Sequence, residues 1–246
     1  MATSKVSPPP PPSPPRSSSS PSESKQQEQN PEMATPTASD ISSVLDSPAN
    51  KAQEAHHIAF FQSIPWCSSL LSSTRNLIIS QPVSRVIRPS GCEEDALISQ
   101  ALNSPDAIPA YITFYPPPPK PTDYVYEVKS LIALGPKVNG WEGICHGGIV
   151  MTLLDEVMGQ IFAVNKDSGA MGNKMPLLTG YLNTAFKRPV RTGTKEKPAI
   201  VLIVARLTKL EGRKHFCEGV VYGDEEGKDE LARAEALFVQ LRESKL

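Results

Sequence analysis

The sequence predicts an α+β fold in which antiparallel strands follow one long apolar helix. Three observations carry this reading. A strand-like stretch ends in a glycine-rich loop before His146, a helix extends from there to about Val164, and four strand-like runs follow it. Strands gathered after a helix, rather than alternating with helices, argue against a βαβ arrangement.

Ahead of that unit, residues 1–50 hold 11 of the prolines and 13 serines but no glycine and no aromatic residue. Such a stretch cannot build a core and predicts a disordered tail. Residues 51–110 read as a helical preamble, with one helix from Lys51 to Ile64, stopped by Pro65, and a second from about Cys92 to Asn103. The main domain is assigned to residues 111–246. Its first strand runs from Tyr124 to Leu134, and the later ones are Pro176 to Phe186, Ala199 to Lys209, His215 to Tyr222 and Leu231 to Leu241. In the last, Ala232, Ala234, Ala236 and Phe238 share one face, while Arg233 and Glu235 take the other. A turn at Asp224 to Gly227 makes the final two strands a hairpin.

Composition excludes several classes of function. The chain carries 25 Lys plus Arg against 26 Asp plus Glu, a balance unsuited to a dedicated nucleic-acid binder. The longest uninterrupted apolar run, Ala199 to Ala205, is far short of the ~20 residues that cross a bilayer, so no transmembrane segment is expected. Cys67, Cys92, Cys145 and Cys217 lie too far apart for a zinc site or a disulfide framework. A cytoplasmic location is expected, with a mitochondrial one as the alternative because residues 1–22 contain no acid. No G-x-S-x-G elbow and no glycine-rich phosphate loop occurs. His56 and His57 lack metal-like spacing and read as helix surface.

On a helical projection from Ile149, apolar side chains occupy more than half the circumference, so this helix is buried on several sides. Asp155 falls at the margin of that apolar face, beside Phe162 and Met151. A carboxylate there costs stability unless it is paired or hydrated, and it serves either catalysis or a structural contact. Glu156 lies further round and reads as the more solvated of the two. At the helix start, His146-Gly147-Gly148 presents free backbone N–H groups at the positive end of the helix dipole, suited to a developing oxyanion or a phosphate. Gly148 and Asp155 are two turns apart, ~10 Å along the axis, so one helix cannot bring both to one carbonyl. If both act on one thioester, the site is shared across a symmetric homodimer or a dimer of dimers.

The run His146-Gly-Gly-Ile-Val-Met-Thr-Leu-Leu-Asp155-Glu, with Gly140-Trp-Glu-Gly before it and Leu182-Asn-Thr-Ala-Phe-Lys-Arg-Pro189 after it, resembles the hot-dog-fold acyl-CoA thioesterases of the phenylacetate-degradation type. The preamble Phe60-Phe61-Gln-Ser-Ile-Pro-Trp66-Cys-Ser-Ser-Leu is similar to that of the eukaryotic thioesterase superfamily member 4 branch and its fungal relatives. The resemblance implies a curved antiparallel sheet wrapped around the central helix, with two such units paired into a dimer. It also implies that Asp155 is the catalytic carboxylate, acting as base or nucleophile on an acyl thioester. Gly148, or its neighbour Gly147, then polarises the carbonyl, Thr179 orients the water, and His146 lies near the thioester. CoA is expected as part of the substrate, with no separate cofactor and no metal.

Each assignment has an alternative. His146 can serve only as a helix cap, and Thr179 can be present for β propensity. Lys187, Arg188, Arg213 and Lys214 are candidates to clamp CoA phosphates, or else solvated strand ends. Cys145 reads as a buried inert thiol rather than a nucleophile. Beside the hydrolase stand two other readings: a non-catalytic acyl-CoA-binding or regulatory dimer, and a hydrolase acting on carrier-protein-bound acyl chains. A His–carboxylate hydratase is disfavoured, because His215 is the only other histidine of the main domain.

Overall fold

In the computed structural model the described residues are 44–172, 175–224 and 227–242, and the predicted tail up to position 43 lies outside them. Chain order is α1 (Pro48–Gln62), α2 (Pro65–Ser72), β1 (Ile78–Ser80), β2 (Tyr111–Tyr115), β3 (Glu127–Leu134), β4 (Asn139–Trp141), β5 (Ile144–Cys145), α3 (Gly147–Asp167), β6 (Leu177–Phe186), β7 (Ala199–Glu211), β8 (Lys214–Tyr222) and β9 (Glu230–Gln240). Among the described residues, one seven-stranded sheet runs in the order β1-β2-β3-β7-β8-β9-β6, and β4 pairs with β5 separately. All pairings in the large sheet are antiparallel. This is an α+β hot-dog arrangement, with the long helix α3 packed on the sheet and two helices ahead of it. The β8–β9 hairpin forms as expected, although positions 225 and 226 of its turn lie outside the described residues.

One part of the sheet is buried on both faces, which explains why its strands read as apolar runs rather than as alternating ones. Val128, Ile132 and Leu134 of β3 and Val201, Ile203 and Ala205 of β7 join the core beneath α3. The intervening Leu131, Ala133, Leu202 and Val204 pack with Ile112 and Phe114 of β2 against Phe61 of α1 and Cys67 and Leu71 of α2. Each fully buried side chain of this kind contributes about 1.5–3 kcal/mol. The preamble is therefore the second cover of the sheet.

Local signals build that cover. Ser47 caps α1, its Oγ accepting from the Asn50 N–H at 3.3 Å. Pro65 does not only stop α1; it occupies the first turn of α2, where its missing N–H costs nothing. The helix expected from Cys92 to Asn103 is confined to Leu97–Ala101, because Asp95 adopts a positive φ of 55° that no helix can run through. One side chain differs from expectation, and a second was not anticipated. His57 is buried on the inner face of α1, opposite its exposed neighbour His56, and burial beside Arg85 lowers its pKa to about 4. Arg85 is fully buried and pairs with no carboxylate among the described residues; its guanidinium donates to the carbonyls of Ile98, Leu102 and Ile108 and so holds this loop to the core.

Helix α3 buries Val150, Leu153, Leu154, Val157, Met158, Ile161 and Phe162, the face expected from the projection. It approaches β8 closely at Gly219, where a Cβ would stand 3.0 Å from Leu154 Cδ2. Near the other end Asn165 donates to the Val125 carbonyl at 2.8 Å and accepts from the Val125 N–H at 2.7 Å. Length and composition alone would let α3 cross a membrane, but its apolar side chains are spent on the sheet.

Candidate active site

The start of α3 is built around His146. This residue is the N-cap, with extended backbone (φ −61°, ψ 133°), and its Nδ1 accepts from the Gly148 N–H at 3.0 Å. Its ring lies against Gly140, where a Cβ would come within 2.9 Å of His146 Cα and 3.0 Å of Cδ2. Gly140 thus has to be small for His146 to cap. With the Ile149 and Val150 N–H groups bound to the His146 carbonyl, the Gly147 N–H is the donor in this turn with no protein acceptor among the described residues. Phe186, at the end of β6, flanks it, its Cζ 3.5 Å from a Cβ built on Gly147.

The second half of the site lies two turns further along. Thr179 Oγ1 donates to Asp155 Oδ1 at 2.9 Å. A β-bulge makes this contact possible: Thr179 pairs with Phe238 and Tyr181 with Leu237, leaving Gly180 as the extra residue on β6. Asp155 accepts no other hydrogen bond among the described residues. Burial raises its pKa above the usual aspartate value, and the Thr179 hydrogen bond opposes that rise. Glu156 is not the solvated partner that position suggested. Burial raises its pKa too, Ser84 lies beside its carboxylate, and Gln160 Nε2 donates to it at 2.9 Å.

The two halves stay apart within one chain. The nine residues from Gly147 to Asp155 are one continuous α-helix, their ends eight steps and ~12 Å apart at 1.5 Å per residue. The four cations divide in the same way. Lys187 and Arg188 follow Phe186, donate through their backbone N–H groups to the Leu231 carbonyl, and pair with Glu230 (2.8 Å) and Asp229. Arg213 and Lys214 sit at the far end of β9, where Arg213 donates to the Gln240 carbonyl at 2.7 Å. Leu231 and Gln240 are roughly 30 Å apart at ~3.3 Å per residue, so the four do not converge in one chain.

Other candidates fall away on burial. The Cys145 thiol is pushed up to about 12 by its surroundings, the opposite of an activated nucleophile. His215 is buried against Phe162, ring centroids 5.3 Å apart, with its pKa lowered by burial. Sequence reasoning missed Phe186 and the bulge at Gly180; the bulge left only its glycine as a signal.

Residues 142–230, from the loop before α3 to the start of β9, match the thioesterase superfamily. The acyl-coenzyme A thioesterase THEM4 of Bos taurus is 35% identical over 107 residues, which are 44% of this chain and 38% of that protein. An uncharacterized mitochondrial membrane protein of Saccharomyces cerevisiae, FMP10, is 28% identical over 150 residues, 59% of this chain and 54% of that protein. The match therefore spans less than two thirds of either relative. Among solved structures, a Bacillus halodurans protein crystallised with CoA shares 30% identity over 47% of this chain and 67% of its own, with a TM-score of 0.37.

Proposed function

We propose that this thioesterase superfamily domain hydrolyses acyl-CoA thioesters to the free acid and CoA. The observation that carries this reading is the carboxylate of Asp155, half-buried on an apolar helix, fixed at Oδ1 by Thr179 and without a donor at its other oxygen among the described residues. Such a group has one oxygen positioned and one available to take a proton from water. The water oxygen attacks the carbonyl carbon as Asp155 accepts the proton. The Gly147 N–H stabilises the oxyanion at the positive end of α3, and collapse of the tetrahedral adduct expels the CoA thiolate. His146 acts through Gly148 as the cap that shapes this turn.

Asp155 and Gly147 of one helix are too far apart for one carbonyl, so the reading requires two chains, each lending one half to a shared site. Strand β6 supports this. It is an edge of the sheet and leaves Leu178, Tyr181 and Phe186 exposed, an apolar edge that a second copy would cover. Lys187 and Arg188, at the Gly147 end, are the cations placed to meet CoA phosphates there. The location is cytoplasmic or mitochondrial, the second supported by the yeast relative FMP10, a mitochondrial membrane protein by name.

Thiol release from acyl-CoAs of graded length, compared between wild type and Asp155→Asn, tests the reading. General-base assistance is worth ~10²–10⁴-fold, and the variant should lose at least that much turnover with its fold intact. Acyl-CoA binding without thiol release by the wild type would instead identify a non-catalytic binding dimer.

A further inference from the structure

The hairpin of β4 and β5 carries a third strand. The Cys145 N–H donates to the Val190 carbonyl at 2.8 Å and the Thr192 N–H to the Gly143 carbonyl at 3.1 Å, and between these bonds Ile144 pairs with Arg191. That is the non-hydrogen-bonded kind of antiparallel pair, in which opposite side chains come closest. On its other side Ile144 pairs with Trp141, with Gly140 the extra residue at a register shift. Residues opposite one another share a face, so Trp141, Ile144 and Arg191 form one row, while Cys145, next along β5, is buried.

What the row offers is an open aromatic ring and a cation. Trp141 is 76% exposed, more than any other large apolar side chain among the described residues. Arg191 is exposed and pairs with no carboxylate among the described residues, not even Glu142 in the hairpin turn, whereas Lys137 and Lys195, close by in sequence, both pair with Asp106. A purine stacks on such a ring, and a phosphate meets such a guanidinium. Two cross-strand steps of ~5 Å set the Cβ atoms of Trp141 and Arg191 ~10 Å apart, within reach of one nucleotide.

We propose that this row receives the nucleotide end of the thioester, adenine stacked on Trp141 and phosphate on Arg191, so that the protein selects CoA thioesters over acyl chains held on a carrier protein. This rests on the hydrolase reading above and adds to it the class of donor. The row lies near the oxyanion donor: Gly147 follows Ile144 by three residues, ~11 Å at most at ~3.5 Å per residue. In CoA about 13 bonds separate the thioester sulfur from the first phosphorus, and at ~1.2 Å per bond, a third of an extended residue, that arm spans ~16 Å. It is long enough to run from Gly147 to the row. A carrier-bound thioester ends in the same arm and a phosphate but has no purine, so Trp141 is the residue that tells the two donors apart.

The test is kcat/KM on one acyl group borne by CoA, by 4′-phosphopantetheine and by pantetheine, for wild type, Trp141→Ala, Trp141→Phe and Arg191→Gln, with melting temperature and oligomeric mass recorded for each. The wild type should prefer CoA to 4′-phosphopantetheine at least about tenfold, the order of a base stacked on an aromatic side chain. Trp141→Ala should lose most of that preference and Trp141→Phe keep most of it. Arg191→Gln should lower the CoA-to-pantetheine ratio about tenfold. No preference for CoA in the wild type, a loss in Trp141→Ala that is equal on all three donors, or a changed oligomeric mass in Trp141→Ala would overturn the proposal, the last by assigning Trp141 to a subunit contact. If the wild type releases no thiol from any donor, the hydrolase reading fails separately, and adenosine 3′,5′-bisphosphate then probes the row alone. The chain has two tryptophans, and Trp66 packs within the preamble, so a stacked adenine should quench the emission of Trp141. That quench should be absent in Trp141→Phe and need about tenfold more nucleotide in Arg191→Gln. No quench in the wild type would contradict the row.

Discussion

Thr179 Oγ1 donates to Asp155 Oδ1 over 2.9 Å, from an edge strand to the central helix, across a bulge at Gly180. A hydrogen bond to the ionised carboxylate favours that form, while burial favours the neutral acid. The acidic limb of kcat/KM should therefore lie above the ordinary aspartate range of about 3.9. In Thr179→Ala the opposing hydrogen bond is gone and the limb should move further up in pH, with turnover at neutral pH falling about tenfold. Thr179→Ser should restore both. A pH profile that does not move in Thr179→Ala would detach this hydroxyl from the base.

Glu156 should behave as a half-buried acid that costs stability when charged. Its pKa is raised in the folded protein, by burial first. Below the unfolded glutamate value of about 4.3 both states are protonated and there is no penalty; above the raised folded value the full penalty applies. Glu156→Gln should therefore melt higher than wild type near pH 7, with the gap closing as pH falls below about 4. Thermal melts across that range decide the matter, and a gap independent of pH would contradict the assignment.

Arg85 is expected to hold the preamble in place. Replacing it with Met leaves the carbonyls of Ile98, Leu102 and Ile108 without their donor and should cost at least about 3 kcal/mol. Arg85→Lys should not recover this, because one ammonium cannot span three carbonyls as a guanidinium does. Denaturant unfolding of both variants measures it, and full recovery by Lys would show that charge alone is what the site needs.

Gly219 should be intolerant of size. A Cβ there stands 3.0 Å from Leu154 and 3.3 Å from Met158 Cγ, so Gly219→Val forces α3 off β8 at a cost of about 1–3 kcal/mol. A melting temperature equal to wild type would mean that the helix–sheet contact is looser than described.

The elements legible in the sequence are those with a clear period or a clear stop. Helix α3 announced itself by the apolar arc around Leu153, Val157 and Ile161, and β9 by Ala232, Ala234, Ala236 and Phe238. Strand β2 was missed because Tyr111 to Tyr115, buried on both faces, shows no alternation and runs into prolines. Helix α2 was missed because Pro65 signals a stop and a start equally well. Of the site, Asp155 stood out as a carboxylate on an apolar helix, and Thr179 entered through the resemblance, as the residue that orients the water. The contact itself depends on the bulge at Gly180, which no local pattern reveals. That the Gly148 N–H is occupied by His146, leaving Gly147 as the free donor, is a matter of side-chain geometry that spacing cannot supply.

The central claim is that each site combines Asp155 of one chain with the Gly147 end of α3 from another. Mixing two inactive variants, Asp155→Asn and Gly147→Phe, tests it most directly, once melting curves show both are folded and native mass spectrometry shows subunit exchange. In a mixed dimer one site takes both lesions and the other takes neither, so an equal mixture should regain about a quarter of wild-type thiol release. No recovery despite demonstrated exchange, or full activity in a strictly monomeric wild-type sample, would contradict the shared site.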